Sequence, residues 1–342
     1  MKIPSGDGFR AFTNPDWLDA NGNKVSLLLG DLDSYTFKLS TALPENPQYV
    51  GQITDILFSL TYYGHFAYNL YAPDVEGVTY IQIGDYKVAN IYSAVVDGVK
   101  YKYANAGWIG PANALKEYTK YIIYEIDGVQ YSVSVNINAM LYAELLCMDP
   151  YTADVEKDAI LKMLDFVEEA YRASGTLDDA TKQKLDNFFN TYNNGNRPEA
   201  VTTYPESEVH TIDNSVYTYV DSIQYGIYSG NSRYCVMVTL KKEYADLKYS
   251  VTVGGMTAST KTKDDGTVVY YTNNNSLAGA LMLANSAITI YDENKTEVAK
   301  TDYSLATYIN GVKAQGGDAS LPEALYSFGK AVKAVRAYLA TK

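Results

Sequence analysis

The chain has 342 residues, 47% hydrophobic and 20% charged, with 40 acidic against 28 basic side chains and a net charge of −12. That length predicts about two domains, and that composition a folded chain rather than a disordered one. An acidic surface with only five arginines opposes nucleic acid and anionic membranes as partners.

Tyrosine is the outlier, at 34 residues. It suits half-buried strands and also protein interfaces and sugar sites. Two cysteines, Cys147 and Cys235, are too few for a disulfide scaffold and are expected as buried free thiols. No apolar run reaches the roughly 20 residues of a membrane span, so no membrane insertion is expected. The opening MKIPSGDGFR lacks the apolar stretch of a signal peptide. The expectation is a cytosolic chain or an internal fragment of an exported one.

Residues 1–50 read as an N-terminal β extension, with strands predicted over 24–30 (KVSLLLG) and 34–40 (SYTFKLS). From there the chain repeats itself. Asp55, Tyr62, Gly64 and Tyr68 recur in spacing as Asp221, Tyr228, Gly230 and Tyr234. YIQIG (80–84) parallels SVTVG (250–254), and DGVKYKYAN (97–105) parallels DGTVVYYTN (265–273). NINAML (136–141) parallels SLATYI (304–309), and Leu164, Val167 and Ala170 match Leu325, Phe328 and Ala331. Several weak matches in one order predict a tandem duplication.

Within each copy the pattern changes from strand to helix. RYCVMVTL (233–240) and LKYSVTVGG (247–255) alternate with period two. VDG (96–98), DGVQ (127–130), DDG (264–266) and DENK (292–295) read as turns. Helical stripes follow: Ile137, Leu141, Leu145 and Met148; Ile160, Leu164, Val167 and Tyr171; Leu305, Ile309 and Val312; and Leu321 through Leu339. Thr176 with Asp179 predicts a capping box for one further helix in the first copy. The expected fold class is α+β, a tandem duplication in which each unit is an antiparallel β sandwich or sheet followed by a helical pair. The units are residues 51–194 and 209–342, joined by a linker at 195–208.

Chemistry is scarce. His65 and His210 are the only histidines and fall in different units, so a His-based triad or zinc site would have to bridge them. DANGNK (19–24) has its glycine fourth, and position twelve is Gly30 where a calcium loop needs a bidentate glutamate, so a solvated turn is expected. The glycines follow no phosphate-loop spacing. The expectation is no enzyme, no metal and no cofactor.

SIQYGIYSGNSRYCVMVTL (222–240), TDYSLATYINGV (301–312) and LPEALYSFGKAVKAVRAYL (321–339) resemble a module repeated in large surface proteins of clostridial gut bacteria. The resemblance covers most of 215–342 and, more faintly, 50–175. Copy 1 departs from it in HFAYNLYAP (65–73) and in an acidic last helix. The resemblance implies a non-catalytic module of a secreted or wall-attached protein, with superantigen-like, immunoglobulin-binding relatives. A host protein such as immunoglobulin is the expected partner, with a glycan or a purely structural spacer role as alternatives.

The repeat itself nominates residues, because a position aromatic in one copy and small or polar in the other is free of the fold. Tyr63 falls opposite Ser229 and Phe66 opposite Ser232, with His65 opposite Asn231. Trp108 falls opposite Leu277 and reads as core or as a loop anchor. Tyr63, His65, Phe66 and Trp108 are therefore the candidate ligand-binding residues.

Overall fold

The computed structural model describes residues 12–13, 57–61, 67–73, 81–83, 86–87, 92–96, 99–108, 110–116, 118–126, 129–149, 152–228, 233–272, 283 and 285–341. These residues form an α+β fold whose sheets are antiparallel throughout. The strands expected at 24–30 and 34–40, and the loop at 19–24, lie outside the described residues.

The first half contains β1 (Phe12–Thr13), β2 (Leu57–Thr61), β3 (Ala67–Pro73), β4 (Ile81–Ile83), β5 (Tyr86–Lys87), β6 (Tyr92–Val96), β7 (Val99–Trp108), β8 (Tyr118–Ile126) and β9 (Val129–Ile137). They pair as β1-β2-β3-β7-β6 and β5-β4-β8-β9. The second half contains β10 (Val220–Tyr228), β11 (Arg233–Leu240), β12 (Ser250–Val253), β13 (Met256–Thr257), β14 (Ser259–Thr262), β15 (Val268–Tyr271), β16 (Ser286–Tyr291) and β17 (Glu297–Tyr303). They pair as β10-β11-β15-β14 and β13-β12-β16-β17. Counted from β2 and from β10, both halves read 1-2-6-5 and 4-3-7-8.

Turn chemistry sets these registers. Val96 pairs with Val99 and Ile126 with Val129, so two residues, Asp-Gly in each case, separate the paired strands. Between β14 and β15, Gly266 takes φ +83° and Asp265 Oδ1 accepts the Thr267 N–H at 2.9 Å. Between β16 and β17, Asp292 Oδ1 accepts from the N–H groups of Asn294 and Thr296.

Helices close each half. In the first they are α1 (Ala139–Met148), α2 (Asp154–Ala173) and α3 (Asp179–Tyr192). In the second, the short α4 (Lys242–Asp246) links β11 to β12, and α5 (Leu305–Ala314) and α6 (Ser320–Leu339) follow the sheets. The closing pairs have matching lengths, 10 then 20 residues. Asn138 caps α1 by accepting the Leu141 N–H at 2.8 Å, and Ser304 caps α5 by accepting the Thr307 N–H at 3.0 Å.

Asn138 and Ser304 thus hold the same position relative to α1 and α5, two residues off the pairing of NINAML with SLATYI. Ile137 ends β9 rather than starting a helical stripe, and α1 buries Tyr142, Leu145 and Leu146 while Leu141 and Met148 stay half-buried. Only Glu144 is charged in AMLYAELLCM, so its apolar pattern selects no face. The cap of α3 is Asp178, whose carboxylate accepts the Thr181 N–H at 2.7 Å. The Thr176 hydroxyl instead meets Ser174. An ionised carboxylate adjacent to the first turn is the stronger partner for a helix start.

One contiguous core runs through both sheets of the second half and the helices of both halves. Phe166 of α2 stacks on Phe328 of α6 with ring centroids 6.0 Å apart. Arg172, at the end of α2, acts electrostatically on Asp318, just before α6. The two helices therefore run antiparallel. Residues 195–208, read as a linker, lie bound along this pair. Arg197 donates to Glu168 at 2.7 Å and to Asp186 at 2.6 Å, with its guanidinium over the Phe189 ring at 4.2 Å. The Val201 N–H donates to Ser327 Oγ at 2.8 Å, and the Tyr204 hydroxyl donates to Glu323 at 3.2 Å. Glu208 then accepts from the Tyr326 hydroxyl and from Lys330.

Candidate functional site

Tyr63, His65 and Phe66 lie outside the described residues. Trp108 is the last residue of β7, in a strand rather than a loop, and pairs with Ala67. Ala67 opens β3, immediately after the segment holding the other three. The register thus brings Trp108 to the sheet end where that segment attaches.

His210 and the two cysteines lie within the packed parts of the fold. The His210 backbone N–H donates to Thr307 Oγ1 at 2.8 Å, and its buried Nε2 has no hydrogen-bond partner among the described residues. Cys235 is buried in β11 and Cys147 half-buried in α1, and both are free. Burial pushes the Cys147 thiol up to about 12, with Lys157 opposing and Glu144 adding to the shift, so it stays protonated and unreactive at neutral pH. No group of three or more metal-ligating side chains occurs among the described residues.

A surface of another kind stands on the second half. Tyr219, Tyr244 and Tyr249 are half-buried and touch one another, with centroids 4.9, 5.9 and 5.1 Å apart. Local backbone chemistry builds the cluster. α4 ends at Asp246 with Leu247 as its C-cap, and Lys248 follows with φ 61°. The Tyr249 N–H bonds the Tyr244 carbonyl and the Lys248 N–H bonds the Ala245 carbonyl, each at 3.1 Å. This is a Schellman closure, and the Tyr244–Tyr249 ring contact is the apolar contact that accompanies it. The Lys241 N–H bonds the Tyr219 carbonyl at 2.9 Å, which brings the third ring in. The Tyr270 hydroxyl donates to the Tyr249 carbonyl at 2.7 Å and fixes the far side.

Leu247, which lies between Tyr244 and Tyr249 in the chain, is 50% exposed, one of three large hydrophobic residues open to solvent among the described residues. The Tyr249 phenol is held above its ordinary range, first by displaced water, then by the Tyr219 phenol and the Asp292 carboxylate. It therefore remains a neutral donor and acceptor in the physiological range. Three contacting tyrosines with an exposed leucine offer large apolar area, little rotamer entropy and several hydroxyls. None of these three tyrosines was nominated by the repeat comparison. With SVTVG set against YIQIG, Tyr249 falls opposite Thr79 and Tyr244 opposite Asp74, so the same rule singles them out. No protein-family model matches the chain, and no curated protein is significantly similar to it.

Proposed function

We propose that the chain is a non-catalytic, extracellular binding module of a bacterial surface protein, built by tandem duplication, whose ligand is a host protein such as immunoglobulin. The observation that carries the binding role is the half-exposed cluster of Tyr219, Tyr244 and Tyr249 beside Leu247. Aromatic anchors of this kind dominate protein interfaces. The duplication draws support from the shared strand order and the matching helix lengths of the halves. The immunoglobulin assignment and the surface location rest on the resemblance of 215–342 to surface-protein modules. In the first half, Tyr63, His65, Phe66 and Trp108 form the second proposed contact surface.

Biolayer interferometry of the intact chain against purified immunoglobulins tests the reading. Tyr219→Ala with Tyr249→Ala is expected to weaken capture at least ~30-fold, about 2 kcal/mol, as loss of a hot spot does. Tyr63→Ala with Phe66→Ala measures the first-half surface in the same assay. Absence of binding to every immunoglobulin class would overturn the partner.

A further inference from the structure

A cleft of about 390 Å³ opens where the two halves meet. Glu169 and Arg172 of α2, Tyr225 of β10, Tyr308 of α5, Asp318 just before α6 and Leu321 in its first turn line it. Its volume is within the range of small-molecule pockets, about 300–1,000 Å³.

The lining is specific in its chemistry. The Tyr225 and Tyr308 rings meet at 5.6 Å, tilted by 52°. Tyr225 also stacks on Tyr303 at 5.4 Å and is buried, while Tyr308 stays half-buried. The Tyr303 hydroxyl donates to the Ile223 carbonyl at 3.1 Å, which anchors this aromatic stack to β10. The Tyr308 hydroxyl makes no hydrogen bond among the described residues. Opposite, Arg172 is 54% exposed and donates to Glu169 at 2.6 Å, which orients the guanidinium without covering it. Asp318 Oδ1 accepts from both the N–H and the hydroxyl of Ser320, which fixes that carboxylate at the rim.

We infer that this cleft binds a neutral sugar, with the Tyr308 ring against an apolar sugar face and Arg172, Glu169 and Asp318 on its hydroxyls. A hydroxyl both donates and accepts, and the cleft presents a donor fork and two carboxylates together. Two carboxylates against one guanidinium leave the lining net negative, which disfavours phosphorylated and sialylated ligands. The lining shares no residue with the Tyr219–Tyr244–Tyr249 surface, and the proposal is independent of the immunoglobulin reading.

Calorimetric titration of the intact chain with lactose, maltose and cellobiose, and with sialyllactose as the acidic counterpart, tests the assignment. At least one neutral disaccharide is expected to bind with a Kd of ~1 mM or tighter. Tyr308→Phe keeps the ring and removes the hydroxyl, and is expected to weaken binding about 3–10-fold. Tyr308→Ala and Arg172→Gln are expected to weaken it further, with circular dichroism unchanged. Tyr219→Ala with Tyr249→Ala is expected to leave the titration unaltered. Failure of all three neutral disaccharides to bind overturns the proposal. So does tighter binding of sialyllactose, insensitivity to both Tyr308→Ala and Arg172→Gln, or loss of sugar binding in the Tyr219/Tyr249 variant.

Discussion

Asp165 is the side chain whose charge costs this fold most visibly. Burial, then the neighbouring Glu169 and Glu168 carboxylates, push its acid constant to about 7, against the pull of Arg197 and Arg172. An unfolded aspartate titrates near ~3.9. Between those values the folded chain holds a proton that the unfolded chain has released. Stability therefore falls as pH rises through that window and levels off above it. Asp165→Asn is expected to flatten the pH dependence of urea unfolding between pH 5 and 8, and to stabilise the chain at pH 8 by on the order of 2 kcal/mol. Nothing in LKMLDFVEEAYR marks Asp165 as different from Glu168 or Glu169. What sets it apart is first its burial, and only the tertiary structure supplies that.

At the scale of elements, local chemistry was readable and facing was not. The Asp-Gly turns and the alternating strands announce themselves because φ preference and period two act over a few residues. The face of α1 does not, since its apolar residues surround the helix. The tyrosine cluster was legible in part: KEYADLKY contains two of its rings, but their contact depends on a left-handed residue that is not glycine. Lys248 at φ 61° occupies the position where helices most favour glycine. Lys248→Gly is expected to raise stability by about 0.5–1 kcal/mol in chemical denaturation, because it relieves the left-handed strain. The Tyr244 and Tyr249 rings should keep their contact in that variant, so ligand capture should persist. Unchanged or lower stability would show that Lys248 earns its place through its side chain.

Across the whole molecule, the antiparallel α2–α6 pair joins what the sequence presents as separate modules. Each helix reads as amphipathic, but an apolar stripe does not name its partner. Phe166→Ala and Phe328→Ala are each expected to cost about 3–4 kcal/mol, and together less than their sum by about 0.5–1.5 kcal/mol, in a double-mutant unfolding cycle. Strict additivity would mean that the rings do not support each other. The pair also sets a schedule for synthesis. The face of α2 that carries Phe166 packs on Phe328 of α6, yet α6 is the last of the described elements to leave the ribosome. At about 5–20 residues per second, the first half waits on the order of ten seconds with that face open. During that interval it is the region a holding chaperone would cover, and chains released before residue 320 would carry the same open face and aggregate.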